Sequence, residues 1–433
     1  MWKSSPVDSI NLDPKEMAGR PFQVLNTLYH LHVYLQQNGK LDGYDPSVHT
    51  IAWSKRSGKI SSVDNWALSL LKSTVEGAAS AYREGRYNDA CRLIEQMTVE
   101  TLSQNYVRMV RNELWRDTPE EKTRRLTIYS IMGTILSSLD LLLHPVSPFL
   151  TEFLFQEVFH GSNWDEPLLL QTPIELELPQ SATEDMKMVE SVLEVESACN
   201  SARMKAKLKR RWPARRLVVL LEPAKVARLK KGRALLASLC NVKDVAFKSS
   251  VMSMPVTVSF LPIRSQIGEQ FKGKSGEVLE KLRGIEGEKG WKAYKSGKPI
   301  VVDIEGKKME VSPAAFELEL KGVGEWEASA KGGVLVALEK VRDDGLIAEG
   351  LVRDLARRLQ TLRKKRGRDP AEMLQRARVA GLNEETLRLV EPLLKDLAFL
   401  VRAERVEALR TRTAEGSWED EEFDGNLVYL DIE

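Results

Sequence analysis

The chain has 433 residues, 42% of them hydrophobic, with 64 Lys and Arg against 62 Asp and Glu, for a net charge of +2. That length calls for two to four soluble domains, and the near-neutral balance excludes a globally basic field. Three widely spaced cysteines with no CxxC exclude a disulfide framework, and five scattered histidines without an HExxH motif or a Cys pair point to no metal site.

In chain order, Ser4-Ser5-Pro6 and Asp13-Pro14 are turn signals, and Phe22, Leu25, Leu28, Tyr29 and Val33 recur at helical spacing. Leu41 to Pro46 ends that helix. Asp64 is read as the N-cap of a second helix, with Trp66, Leu70, Ser73 and Gly77 along one side. A third helical stretch runs from Asp89 to Trp115. Arg108, Arg111, Asn112 and Trp115 share one of its faces, and Leu102, Tyr106, Met109 and Val110 another. Pro119-Glu120-Glu121 opens a fourth helix that Pro145 and Pro148 close, and a short helix covers Phe149 to Phe159. No segment is read as membrane-spanning, since the greasiest run, Ile135 to Leu143, is short and contains Asp140. Long amphipathic helices with short links make an antiparallel bundle over residues 1–178.

Pro167 to Pro179 reads as a loop and Thr183 to Lys209 as helix. Residues 179–250 then form a basic connector. From Arg203 to Arg216 there are eight cations (Arg203, Lys205, Lys207, Lys209, Arg210, Arg211, Arg215, Arg216) and no acid. Pro213, next to Trp212, breaks the helix before the apolar run Leu217 to Leu221. Such a cluster suits a polyanion or is a solvated helix face, and charge alone does not separate the two. Residues 251–433 form an α+β region. Strands are expected at 217–221, 242–247, 256–261, 300–304, 316–320, 334–338 and 427–430, and helices at 346–365 and 384–402. No internal repeat is read. A second cationic run, Arg353 to Arg368, and an acidic end, Glu415 to Glu433, segregate the charge. The fold class is thus an all-α antiparallel bundle followed by an α+β C-terminal region.

Gly268-Glu-Gln-Phe-Lys-Gly273-Lys274-Ser275 matches the phosphate loop GxxxxGK[ST], and Ile300-Val-Val-Asp303 imitates its Mg²⁺-holding strand. The physics of that loop needs a strand leading directly in and a helix leading directly out; here Pro262, Arg264, Ser265 and Gln266 separate it from the strand at 256–261, and the surrounding chain lacks the alternating β–α pattern of a parallel sheet, so the isolated motif is a weak signal. No Ser/His/Asp, Cys/His or paired-carboxylate constellation emerges, and no catalytic residue is assigned.

Several motifs together resemble the C-terminal half of isoleucyl-tRNA synthetase of the archaeal and eukaryotic type, a class I enzyme. They are Trp2-Lys-Ser-Ser-Pro6, Asp64-Asn-Trp66-Ala-Leu-Ser69, Arg86-Tyr-Asn-Asp-Ala90 and Leu102-Ser…Tyr106-Val-Arg108…Arg111…Trp115. To these are added His144-Pro-Val-Ser-Pro148-Phe-Leu-Thr-Glu152, Ala202-Arg-Met-Lys-Ala-Lys207…Arg211-Trp-Pro213 and Glu349-Gly-Leu-Val-Arg353…Arg357…Lys364. The resemblance also accounts for Ile267-Gly…Phe271…Gly273-Lys274 as a family turn.

The family's His-Ile-Gly-His and Lys-Met-Ser-Lys-Ser signatures are absent, and so is its editing domain; the loop from Asp165 to Pro173 departs from the family pattern. The resemblance therefore implies a cytoplasmic tRNA-binding portion, inactive alone, whose partners are isoleucine tRNA and a separate catalytic half. It implies no cofactor in this chain, and ATP and Mg for the full-length family. It places Arg108, Arg111 and Trp115 at the anticodon stem-loop and Lys205, Lys207, Lys209, Arg210 and Arg211 along phosphates. Arg353, Arg357 and Lys364 are implied as further contacts. The other readings are a free-standing RNA-binding accessory protein, a nucleotide-binding protein acting through Gly268–Ser275, and an inert fragment.

Overall fold

Capping and periodicity shape the first part of the chain, and strand pairing over long sequence distances shapes the second. A computed structural model describes residues 14–115, 118–160, 166–285, 287–369, 372–423 and 425–433; the Trp2–Pro6 motif, Asp13 and Asp165 lie outside them. The chain divides into two compact units, Met1–Val189 and Glu190–Glu433.

The first unit is a helical bundle, with helices Pro14–Asp42, Ile51–Ser57, Ser62–Arg83, Tyr87–Glu95, Val107–Leu114, Lys122–Leu143 and Pro148–Phe159. Asp64 is not the N-cap expected. Ser61 takes that place, and Asp64 is the third helical residue of a capping box, its carboxylate accepting the Ser61 N–H at 2.7 Å. The shift buries Asp64, because its carboxylate also serves partners from two other helices. The stretch read as one helix from Asp89 widens into a π-helix over Gln96–Tyr106, which turns Met97, Leu102 and Tyr106 inward together. The stretch Pro119–Leu143 is long and apolar enough to cross a membrane by length and composition, which the sequence reading overlooked. Of its apolar 18-residue window 83% is buried within the protein, so it serves as the bundle's core helix.

Among the described residues the second unit holds twelve strands: β1 (Ala214–Leu220), β2 (Val242–Lys248), β3 (Val256–Pro262), β4 (Ile300–Ile304), β5 (Lys307–Val311), β6 (Phe316–Gly322), β7 (Trp326–Lys331), β8 (Val334–Glu339), β9 (Leu374–Ala380), β10 (Ala403–Leu409), β11 (Glu419–Phe423) and β12 (Asn426–Ile432). Two four-stranded sheets run in the orders β2-β1-β8-β7 and β10-β9-β12-β11. In each, the first two strands in sequence are parallel and the last two form an antiparallel hairpin. A long helix enters each sheet, Ala182–Lys205 or Asp344–Lys365. Helices Pro223–Lys231 and Arg233–Cys240 cross over in the first, and Glu384–Val390 and Leu394–Val401 in the second.

The unit is therefore two modules of one topology, and the expectation of no internal repeat is overturned. Matching positions do matching work. Arg203 and Arg363 are both buried. Arg203 donates to the carbonyls of Trp212, Cys240 and Asn241 at 2.8 Å. Arg363 donates to those of Val401 at 2.8 Å and Asp369 at 2.6 Å. Asn241 (φ 50°) and Arg402 (φ 52°) each turn left-handed to start the second parallel strand, and Lys207 (φ 53°) matches Gly367 (φ 65°) past the entering helix. Lys205 reaches the Ala328 carbonyl on β7, and Lys365 reaches Glu419 on β11. The repeat is hidden in sequence because β3 to β6 and helices Arg264–Phe271, Ser275–Arg283 and Gly287–Ser296 are inserted into the first module alone.

Candidate nucleic-acid interface

On the bundle, Val107–Leu114 is held from behind. Arg124, buried, donates to Asp64 Oδ2 at 2.5 Å, to Glu113 Oε2 at 2.7 Å and to the Lys59 carbonyl at 3.0 Å. Tyr106 donates its hydroxyl to Asp64 Oδ1 at 2.6 Å. Burial opposes the Arg124 charge, but Asp64, Glu113 and Tyr106 outweigh it and raise its pKa above the ordinary value. The network fixes the Glu113 side of the helix and sets the opposite side outward. There Arg111 is exposed, Trp115 is half-buried at the helix C-cap, and Arg108 is half-buried with Nη2 3.1 Å from Asn105 Oδ1. The face bears guanidinium groups and an indole, chemistry that grips phosphate and stacks on a base.

The connector divides its eight cations by role. Arg203 is buried and committed to main-chain carbonyls. Arg215 pairs with Asp343 at 2.6 Å and Arg216 with Asp244 at 3.1 Å. Arg211 Nε is 2.9 Å from Asp354 Oδ1, and Lys209 Nζ is 3.9 Å from Asp354 Oδ2. Lys205 is exposed while reaching Ala328, and Lys207 and Arg210 are exposed. Trp212 is a wedge rather than a stacking platform. Its indole N–H donates to Asp354 at 3.0 Å, the Arg342 guanidinium covers its ring at 4.6 Å, and a Cβ at Gly350 would lie 2.5 Å from ring carbons.

The structure brings the two cationic runs together here. Arg353 Nη1 donates to the Arg211 carbonyl at 3.2 Å and to Asn241 Oδ1 at 2.5 Å, and the guanidinium lies 3.6 Å from Glu349. Burial lowers its pKa from the ordinary value, partly offset by Glu349. Arg357 and Lys364 remain exposed further along the same helix. Within the acidic end, Asp431 meets Arg366 and Arg378, Glu433 meets Arg376 and Arg378, and Glu419 meets Lys365.

Gly268 lies inside helix Arg264–Phe271, and Lys272–Lys274 is a 3₁₀ turn leading into Ser275–Arg283. Helix Arg264–Phe271 stands between strand β3 and the Lys272–Lys274 turn, so Gly268–Gly273 is not a loop leaving a strand, the context a phosphate loop needs. Lys274 pairs with Glu305 at 2.6 Å, and Asp303 sits in an antiparallel hairpin, its carboxylate accepting the Gly306 N–H at 3.0 Å. The structural turn expected at Gly268–Ser275 is what stands there.

Residues 64–219 match the family described as the anticodon-binding domain of tRNA ligase. Curated isoleucine–tRNA ligases align with 79% to 96% of the chain. That of Pyrococcus horikoshii is 25% identical over 431 residues, covering 96% of this chain and 37% of the relative. That of Methanopyrus kandleri is 27% identical over 345 residues, covering 79% of this chain and 31% of the relative. That of Bacteroides fragilis is 25% identical over 376 residues, covering 84% and 32%. The resemblance to isoleucine–tRNA ligase read from the motifs is borne out, and the chain spans 37% of the length of the P. horikoshii protein.

Proposed function

We propose that this chain is the tRNA-binding portion of an isoleucine–tRNA ligase, acting in the cytoplasm. It positions isoleucine tRNA for a catalytic portion that supplies ATP- and Mg-dependent aminoacylation. The observation that carries the reading is the Arg111–Trp115 face, braced through Glu113 and Arg124, inside the stretch matching the anticodon-binding domain. In this reading Arg108, Arg111 and Trp115 meet the anticodon stem-loop. Lys205, Lys207, Lys209, Arg210 and Arg211 follow phosphates, with Arg353, Arg357 and Lys364 as outer contacts. Geometry weights them unequally: Lys207, Arg210, Arg357 and Lys364 are exposed, whereas Arg211 and Arg353 are engaged within the protein. Phosphate contacts supply affinity, and splayed anticodon bases supply specificity.

Filter binding with isoleucine tRNA and a tRNA of another anticodon tests this. Arg111→Ala and Trp115→Ala should weaken the isoleucine tRNA more than the other. Equal loss for both would contradict anticodon reading. A free-standing RNA-binding accessory protein is the second reading, which the acid-free cationic run Arg203–Arg216 fits equally. Adding the chain to a catalytic polypeptide that bears those signatures separates the two: stimulated aminoacylation supports a synthetase part, and none supports the accessory reading.

A further inference from the structure

The two modules serve as each other's controls, because one scaffold shows which residues the other does not need for folding. Counting from the anchor arginines, Arg203 and Arg363, and from the left-handed residues, Asn241 and Arg402, four positions correspond. The first module has Ser197, Met204, Ala234 and Ser238. The second has Arg357, Lys364, Lys395 and Phe399. All four second-module residues are exposed, Phe399 at 54%. They share one patch: Gln360, between Arg357 and Lys364 on the helix face, donates to the carbonyl of Leu400, the neighbour of Phe399, at 2.8 Å. Lys395 stands one helical turn before Phe399 on Leu394–Val401. The scaffold does not need an aromatic there, because the first module folds with serine at that place.

We propose that Arg357, Lys364, Lys395 and Phe399 form a docking surface for unpaired nucleotides of RNA, with a base stacked on Phe399 and phosphates on the three cations. Charge and an aromatic face together are what sequence-tolerant single-strand recognition requires. The acid on the same helix, Asp396, leaves the patch net positive. The inference rests on the tRNA-binding reading and extends it to a second, anticodon-independent contact in the C-terminal module.

The test exchanges the second module's residues for the first's, R357S/K364M/K395A/F399S, in the full chain, with far-UV circular dichroism and the urea midpoint as folding controls. The probes are a ten-nucleotide oligouridylate and isoleucine tRNA, followed by fluorescence anisotropy at several salt concentrations. Oligouridylate affinity should fall about tenfold in F399S alone, the loss of one stacked base. The salt slope of the quadruple variant should be shallower by about two, for three phosphates on a single strand. A folded quadruple variant that binds both probes like the parent overturns the inference. A silent F399S overturns the stacking. Failure of the anticodon reading looks different: R111A and W115A would then leave the preference for isoleucine tRNA unchanged, while the oligouridylate loss in the patch variants would persist.

Discussion

His32 Nε2 lies 2.8 Å from Asp140 Oδ2, and both side chains are completely buried. Nδ1 of the same imidazole is 2.9 Å from the Leu28 carbonyl, which can only accept, so Nδ1 carries a proton. A second proton must lie between Nε2 and the carboxyl group. The pair thus ties helix Pro14–Asp42 to the core helix Lys122–Leu143 as a neutral, proton-holding unit. Burial lowers the His32 pKa, but the Asp140 charge and hydrogen bond reverse that and raise it; burial raises that of Asp140 against His32.

The folded pair therefore keeps one proton that the unfolded chain releases above the histidine value of about 6.5, and stability falls as pH rises through that window. Asp140→Asn keeps a hydrogen-bond partner for Nε2 and removes one titration. Its stability, from urea titrations between pH 5 and 9, should depend less steeply on pH than the parent's. Asp140→Ala should cost about 3 kcal/mol, the lower end for breaking a buried pair.

Arg203 and Arg363 should behave as structural anchors. Arg203→Met or Arg363→Met leaves several buried carbonyls without donors, at about 1–3 kcal/mol for each orphaned group. Arg203→Lys should rescue only part, because an ammonium lacks the planar fork. Urea midpoints check the loss. In the folded range, the salt slope of tRNA binding should be unchanged by either substitution, since neither guanidinium reaches the surface.

Lys274→Ala should leave Mg·ATP affinity unchanged in calorimetric titration, because the Gly268 stretch is helical and Lys274 is engaged with Glu305. Tight binding by the parent that vanished in the variant would restore the phosphate loop.

The bundle was legible because its signals are local. Apolar residues recur at helical spacing from Phe22 to Phe159, and Pro119, Pro145 and Pro148 punctuate them. The Ser61 cap and Asp64 burial were missed because Asp64 finds Tyr106 and Arg124 only in the fold. Strands β9 and β10 were missed because Arg376, Arg378 and Arg405 break their apolar runs. The partners of Arg376 and Arg378, Asp431 and Glu433, come more than fifty residues later. The helix read as 384–402 is broken by the 3₁₀ turn Glu391–Leu393, which contains Pro392. In the cationic runs, residue type showed where charge accumulates but not which charge is spent. Arg203 and Arg210 are the same residue type, seven positions apart, one buried on carbonyls and the other in solvent. Lys395 and Phe399 gave no signal until the two modules could be superposed by topology.

The central claim is that the connector holds RNA phosphates while the bundle reads the anticodon region. Its most direct test is filter binding of isoleucine tRNA across a salt series, comparing the parent with Lys207→Ala/Lys209→Ala/Arg210→Ala. Each phosphate neutralised contributes about 0.7 to 0.9 to the slope of log K against log salt. The account predicts a slope shallower by about two in the triple variant, with similar losses for any tRNA. An unchanged slope would make these cations a solvated surface and contradict the account.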